Sequence, residues 1–86
     1  MAGYRVLIKP SAVKEIESIS SKRDRRRIVS RIGKLAEDPR PATCEKLSGQ
    51  EKYRIRQGRY RIVYSIEDQE LAVFVVKVGH RKDVYR

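Results

Sequence analysis

The sequence predicts an α+β fold: an N-terminal strand, an α-helical hairpin, then an antiparallel three-stranded meander, all forming one sheet. Three observations lead there. Apolar residues recur at helical spacing from Ala12 to Ala36, and they alternate with arginines at a period of two from Tyr53 onward. Pro10 and Asp38-Pro39 punctuate the changes of period. At 86 residues the chain has room for one domain, spanning 1–86, and one modest core, because so short a chain buries little more than half of its unfolded surface.

The first strand is Tyr4 to Lys9, with Tyr4, Val6 and Ile8 on one face, and Pro10 ends it. From Ser11 the period becomes helical: Ala12, Val13, Ile16 and Ile19 form a stripe, with Lys14, Glu15 and Glu17 opposite. Ser20-Ser21 interrupts this helix, and Ser21 with Asp24 three residues later resembles a capping box for a second one. The second helix has an apolar stripe of Ile28, Val29, Ile32, Leu35 and Ala36, and a basic outer side from Arg23 to Lys34. It stops at Asp38-Pro39. Residues 39–43 read as a loop, and Cys44 to Gly49 fits no single pattern. Tyr53 and Ile55 then alternate with Arg54 and Arg56; Gln57-Gly58 is a two-residue turn candidate; and Tyr60, Ile62, Tyr64 and Ile66 continue the alternation. Glu67 to Glu70 makes a second reversal. Leu71 to Val78, apolar on both faces, reads as a strand covered on both sides.

Charge narrows the partners. Lys and Arg number 21 against 11 Asp and Glu, a formal charge of +10 whose field attracts polyanions, nucleic acid above all. No apolar run is long enough to span a bilayer and no signal-peptide pattern follows Met1, so a cytoplasmic protein without membrane attachment is expected. One cysteine, Cys44, and one histidine, His80, cannot make a metal site of the usual kinds, and the carboxylates are scattered along the chain. No cofactor is expected.

Placing the turn at Gln57-Gly58 puts Arg56 opposite Arg59 and Arg54 opposite Arg61 on the sheet face away from the helices. Four guanidiniums so arranged repel one another unless an anion sits among them, and arginine forks bind phosphate bidentately. A solvated charged face is the plainer alternative; the alternation with a core face favours one rigid binding surface. Beyond the last strand, Arg81 is suited to clamping a phosphate, and His80 and Tyr85 to moving protons.

The motifs Leu47-Ser48-Gly49, Tyr53-Arg54-Ile55-Arg56, Gly58-Arg59-Tyr60-Arg61-Ile62-Val63-Tyr64, Val73 through Arg81, and Val84-Tyr85 together resemble those of RelE toxins, in the RelE/ParE superfamily of type II toxin–antitoxin systems. The resemblance spans essentially the whole chain and implies the RelE-like microbial RNase fold. It implies a toxin that enters the ribosomal A site and cuts mRNA there without metal, by attack of the 2′-hydroxyl on the neighbouring phosphate, and that is held inactive in a hetero-oligomer with a cognate antitoxin. Carried over by position, Arg54 and Arg56 stand where the family has lysines, Arg61 and Arg81 where it has phosphate-binding arginines, and Tyr85 where it has a stacking or proton-transferring tyrosine. Arginine does not titrate near neutrality, so the departures leave proton transfer to Tyr85, with His80 as auxiliary. Arg59 is expected to act as a rim charge. Some relatives continue into a C-terminal helix that the antitoxin displaces; if such a helix is absent here, inhibition is expected to come from covering or moving the catalytic tail. Two other readings stand beside this one: a ParE-like DNA gyrase inhibitor without nuclease activity, from which Arg81 and Tyr85 argue away, and a non-toxic RNA-binding module.

Overall fold

A computed structural model describes residues 3–47, 49 and 51–80. Strand β1 (Arg5–Ile8) ends where Pro10 opens helix α1 (Pro10–Glu17); proline suits the first helical turn, where its missing N–H would have had no partner. Helix α2 (Lys22–Lys34) starts on Ser21, whose hydroxyl oxygen accepts from the Asp24 N–H at 3.2 Å, so the expected capping serine is in place. The Arg25 guanidinium donates to the Ile19 carbonyl and ties the start of α2 to the chain leaving α1.

Among the described residues four strands follow: β2 (Glu45–Lys46), β3 (Tyr53–Gln57), β4 (Tyr60–Glu67) and β5 (Ala72–His80). The sheet order is β1-β5-β4-β3-β2, so the expected meander forms the centre and β1 joins it as an edge strand, parallel to β5. The first strand and the helical hairpin thus act as a crossover that carries the chain over one sheet face. The short β2, which the sequence pattern had left unassigned, pairs antiparallel with β3 through Glu45 opposite Arg54 and Lys46 opposite Tyr53.

The core lies between that face and the helices. Ala12, Ile16, Ile19, Ile28, Ile32 and Leu35 from the helical side meet Ile55, Ile62, Tyr64, Val73, Val75 and Val78 from the sheet, with Tyr4, Val6 and Ile8 packed at the margin. Three members of the expected stripes fall outside it: Val13, Val29 and the half-buried Ala36. Val13 and Val29 are 36% and 53% exposed, because two short helices over a narrow sheet need only the turns marked by Ala12-Ile16 and Ile28-Ile32-Leu35. Strand β5 lies between β1 and β4 over Ala72–Val75; Val73, Val75 and Val78 are buried against the helices, whereas Phe74 and Val76 are half-buried, so the strand is fully covered on one face and not, as expected, on both.

The hairpin register differs from the expected one. Gln57 pairs with Tyr60, Arg56 with Arg61, Ile55 with Ile62 and Arg54 with Val63. The two loop residues are therefore Gly58 and Arg59, with φ of +61° at Gly58; this conformation suits glycine at the first central position of a tight hairpin turn. Moving the loop by one residue removes Arg59 from the ladder and takes Arg54 away from Arg61. Between β4 and β5 the register also slips: Val63 faces Lys77 while Tyr64 faces Val75, so Val76 is an extra residue in β5, a β-bulge.

Candidate nucleic-acid interface

The period of two places Arg54, Arg56, Arg61 and Val63 on the sheet face away from the helices. The surface is not the open ladder that the sequence suggested. Arg54 and Arg61 are only 8% and 6% exposed, and Val63 beside them is buried too. A guanidinium taken out of water needs an acidic partner. Strand β2 supplies one: the Glu45 carboxylate accepts from Arg54 Nη2 at 3.0 Å and lies 3.9 Å from Arg56 Nη2. The hydrogen bond from Arg54 holds the Glu45 carboxyl below the usual carboxylate range, and the charges of Arg54, Arg56 and Arg61 push the same way. Glu45 thus offsets the like-charge repulsion of the arginines and fixes the direction of Arg54. The sequence reading had counted Glu45 among the scattered acids. Gly49, with φ of +71° in the turn between β2 and β3, was the signal that could have marked this hairpin.

The other residues singled out from the sequence separate into three groups. Arg59 sits in the β3–β4 turn, exposed. His80 ends β5 opposite Tyr60, with its ring edge-on to the tyrosine at 6.0 Å between centroids. This places it on the helix-covered side of the sheet, while Arg61, one residue along β4, pairs with Gly79 and faces the other way. Arg81 and Tyr85 lie outside the described residues. Among the described residues, no three His, Cys, Asp or Glu side chains gather as a metal site requires, and no helix is long and apolar enough to cross a membrane.

A second basic surface lies on the outer side of α2. Arg26, Arg27, Arg31 and Lys34 of α2 line, with Ser30 and Gln57, a cleft of about 330 Å³. Gln57, the last residue of β3 before the Gly58-Arg59 loop, alternates with Arg56 and reaches this cleft from the helix-covered face of the sheet.

A polar cluster unforeseen from the sequence ties the loop after α2 to the sheet. Arg40 forms a two-pronged ion pair with Asp68, at 3.0 and 2.8 Å, donates to the Tyr53 hydroxyl at 3.3 Å, and stands 5.3 Å from the centre of that ring. Tyr4 also donates to Asp68, at 2.7 Å. The bonds from Arg40 and then Tyr4 bring the Asp68 carboxyl down to about 2, and the neighbouring carboxylate pushes the Tyr4 hydroxyl up. Beneath them the buried Tyr64 hydroxyl donates to the Pro39 carbonyl at 2.7 Å. Burial is the main cause that raises its pKa, so this hydroxyl is a structural donor.

Comparison with known proteins agrees with this architecture. A family model described as the ParE toxin of the type II toxin–antitoxin system parDE matches residues 6–85. Among solved structures, the RelE–RelB complex from Pyrococcus horikoshii is similar over 92% of this chain and 96% of its own, at 30% identity and a TM-score of 0.82. The isolated E. coli RelE toxin is similar over 95% of this chain and 90% of its own, at 30% identity and a TM-score of 0.77. Toxin RelG of Mycobacterium tuberculosis is 45% identical over 31 residues, and that stretch is 36% of this chain and 36% of the relative.

Proposed function

The chain belongs to the RelE/ParE superfamily of toxins of type II toxin–antitoxin systems, and from that premise we propose that it is a ribosome-dependent endoribonuclease, which cuts mRNA in the A site and so inhibits translation. The observation that carries this reading is the arginine face: Arg54 and Arg61 are buried on one rigid sheet surface beside the exposed Arg56, with Glu45 fixing Arg54. A solvated charged face would leave its long cations in water. Guanidiniums held down in fixed positions are prepared for a ligand of fixed geometry, and a phosphodiester offers matching acceptors.

In the proposed reaction the 2′-oxygen attacks the adjacent phosphorus, and the bond from phosphorus to the 5′-oxygen breaks. A cyclic phosphate remains on one fragment and a 5′-hydroxyl on the other. The 2′-hydroxyl loses a proton and the leaving oxygen gains one, while negative charge builds on the phosphoryl oxygens. Arg61, with Arg54 and Arg56, stabilises that charge electrostatically. Arg81 is proposed as a further phosphate clamp and Tyr85 as the proton-transferring group; His80, on the opposite sheet face from Arg61, is left without a part in the proton transfer. None of these steps calls for a metal or another cofactor. The ribosome supplies the remaining alignment of the mRNA, and the basic outer side of α2 is proposed to face ribosomal RNA.

The proposed setting is the cytoplasm, with an antitoxin as partner in a hetero-oligomer. An acidic segment that covers the arginine face would both bind and inhibit. Affinity for the antitoxin that rises with added salt would rule out such an electrostatic grip.

The second reading is a ParE-like DNA gyrase inhibitor, and the family model that matches residues 6–85 favours it. One experiment separates the two. Purified protein is expected to cut mRNA on programmed ribosomes, to leave naked RNA nearly intact, and to lose most cleavage on Arg61→Ala or Arg81→Ala while staying folded. Intact mRNA together with blocked gyrase supercoiling would replace the first reading by the second.

A further inference from the structure

Glu15 is the residue that the arginine face does not explain. Strand β1 pairs with β5 only as far as Ile8 opposite Val75, because Pro10 then begins α1. Strand β5 runs five residues further, to His80, with no strand on that flank among the described residues. Its backbone groups there need other partners. The extra residue of the bulge, Val76, turns the N–H of Val78 to the open side, and Glu15 meets it: Oε1 accepts from the Val78 N–H at 2.9 Å, and Oε2 accepts from Lys77 Nζ at 3.3 Å. A carboxylate from α1 thus stands in for the missing strand.

What Glu15 holds is the end of β5 that matters to the proposed chemistry. Gly79 pairs with Arg61, and His80 pairs with Tyr60. Glu15, Tyr60, Lys77 and His80 together line a polar cleft of about 340 Å³ between α1 and the strand ends. We propose that Glu15 is a positioning residue: by binding the Val78 N–H it holds the end of β5, and with it His80 and the strand segment that registers Arg61. The assignment rests on the ribonuclease reading, and it does not make Glu15 a catalytic group, since its two oxygens are occupied by Val78 and Lys77.

Glu15→Gln and Glu15→Ala distinguish the roles of the two oxygens. Glutamine retains a carbonyl oxygen for the Val78 N–H and loses only the charge toward Lys77; alanine loses both. In the full-length protein, Glu15→Ala is expected to speed amide exchange at Val78 to His80 relative to the rest of β5. It is also expected to lower the single-turnover rate of mRNA cleavage on programmed ribosomes by roughly tenfold or more, since small misplacements of reacting groups carry penalties of that order, with half-saturation little changed. Glu15→Gln restores most of both. Exchange at Val78 unaltered by Glu15→Ala would overturn the proposal. So would a glutamine variant as impaired as the alanine one, or cleavage by Glu15→Ala at the wild-type rate. If the wild-type protein itself fails to cut ribosome-bound mRNA, the ribonuclease reading falls separately, and the exchange comparison still decides whether Glu15 holds the strand end.

Discussion

Replacing Tyr64 by Phe removes one oxygen from the centre of the fold, and the structure sets the size of the consequence. The ring is fully buried, with 0% exposure, and its hydroxyl donates to the carbonyl of the buried Pro39 at 2.7 Å. Phenylalanine fills the same space, so packing is conserved and the loss is that of the hydrogen bond. A buried acceptor deprived of its donor costs about 1 to 2 kcal/mol. For an 86-residue chain the unfolding entropy is about 0.18 kcal/mol per degree, so the midpoint should fall by roughly 6 to 11 °C. Thermal unfolding followed by circular dichroism reads this directly. Tyr53→Phe is the internal control: its hydroxyl accepts a longer bond of 3.3 Å from Arg40 in an exposed cluster, and its loss is expected to shift the midpoint by no more than about 2 °C. Equal shifts for the two variants, or none for Tyr64→Phe, would refute the view that the Pro39 anchor is a load carried by that one buried bond.

Other expectations follow from single sites. Asp68, with its carboxyl brought down to about 2 by Arg40 and Tyr4, adds stability that is fully present above its ordinary value of 3.8 and lost as pH falls through the lower one. The stability gap between wild type and Asp68→Asn, measured by urea unfolding, should be constant above about pH 4 and close between about pH 4 and 2; a gap independent of pH over that range would dismiss the cluster. Gly58→Ala meets no atom within 4 Å and so tests backbone strain alone: φ of +61° makes alanine less stable by about 1 to 2 kcal/mol, with Gly58→Asn affected less, and alanine as stable as glycine would mean that the turn is built otherwise.

The sequence by itself determined the elements other than β2, and which face of each is apolar. Alternation from Tyr53 to Ile66 named the core-facing residues, since side-chain direction in a strand depends only on a period of two. Ser21 marked the start of the second helix because capping acts within a single turn, and Pro10, read as the end of the first strand, proved also to open α1. The hairpin register was the point where local reading fell one residue short. Gln57-Gly58 and Gly58-Arg59 are both adjacent pairs containing the glycine, and a positive φ at Gly58 suits either; the pairing of Gln57 with Tyr60 selects the second.

Tertiary structure decided what the arginines are. Nothing in the pattern around Glu45 says that it will lie beside Arg54, because the two meet across a hairpin whose first strand has only two residues. The same holds for Arg40 with Asp68, 28 residues apart, and for Glu15 with the Val78 N–H, 63 residues apart. Such contacts depend on where a helix or loop comes to rest over the sheet, and spacing along the chain carries no trace of that. Local periodicity therefore predicted a row of cations on a sheet, and packing turned it into a surface in which two guanidiniums are buried and one of them is held by a carboxylate from the neighbouring strand.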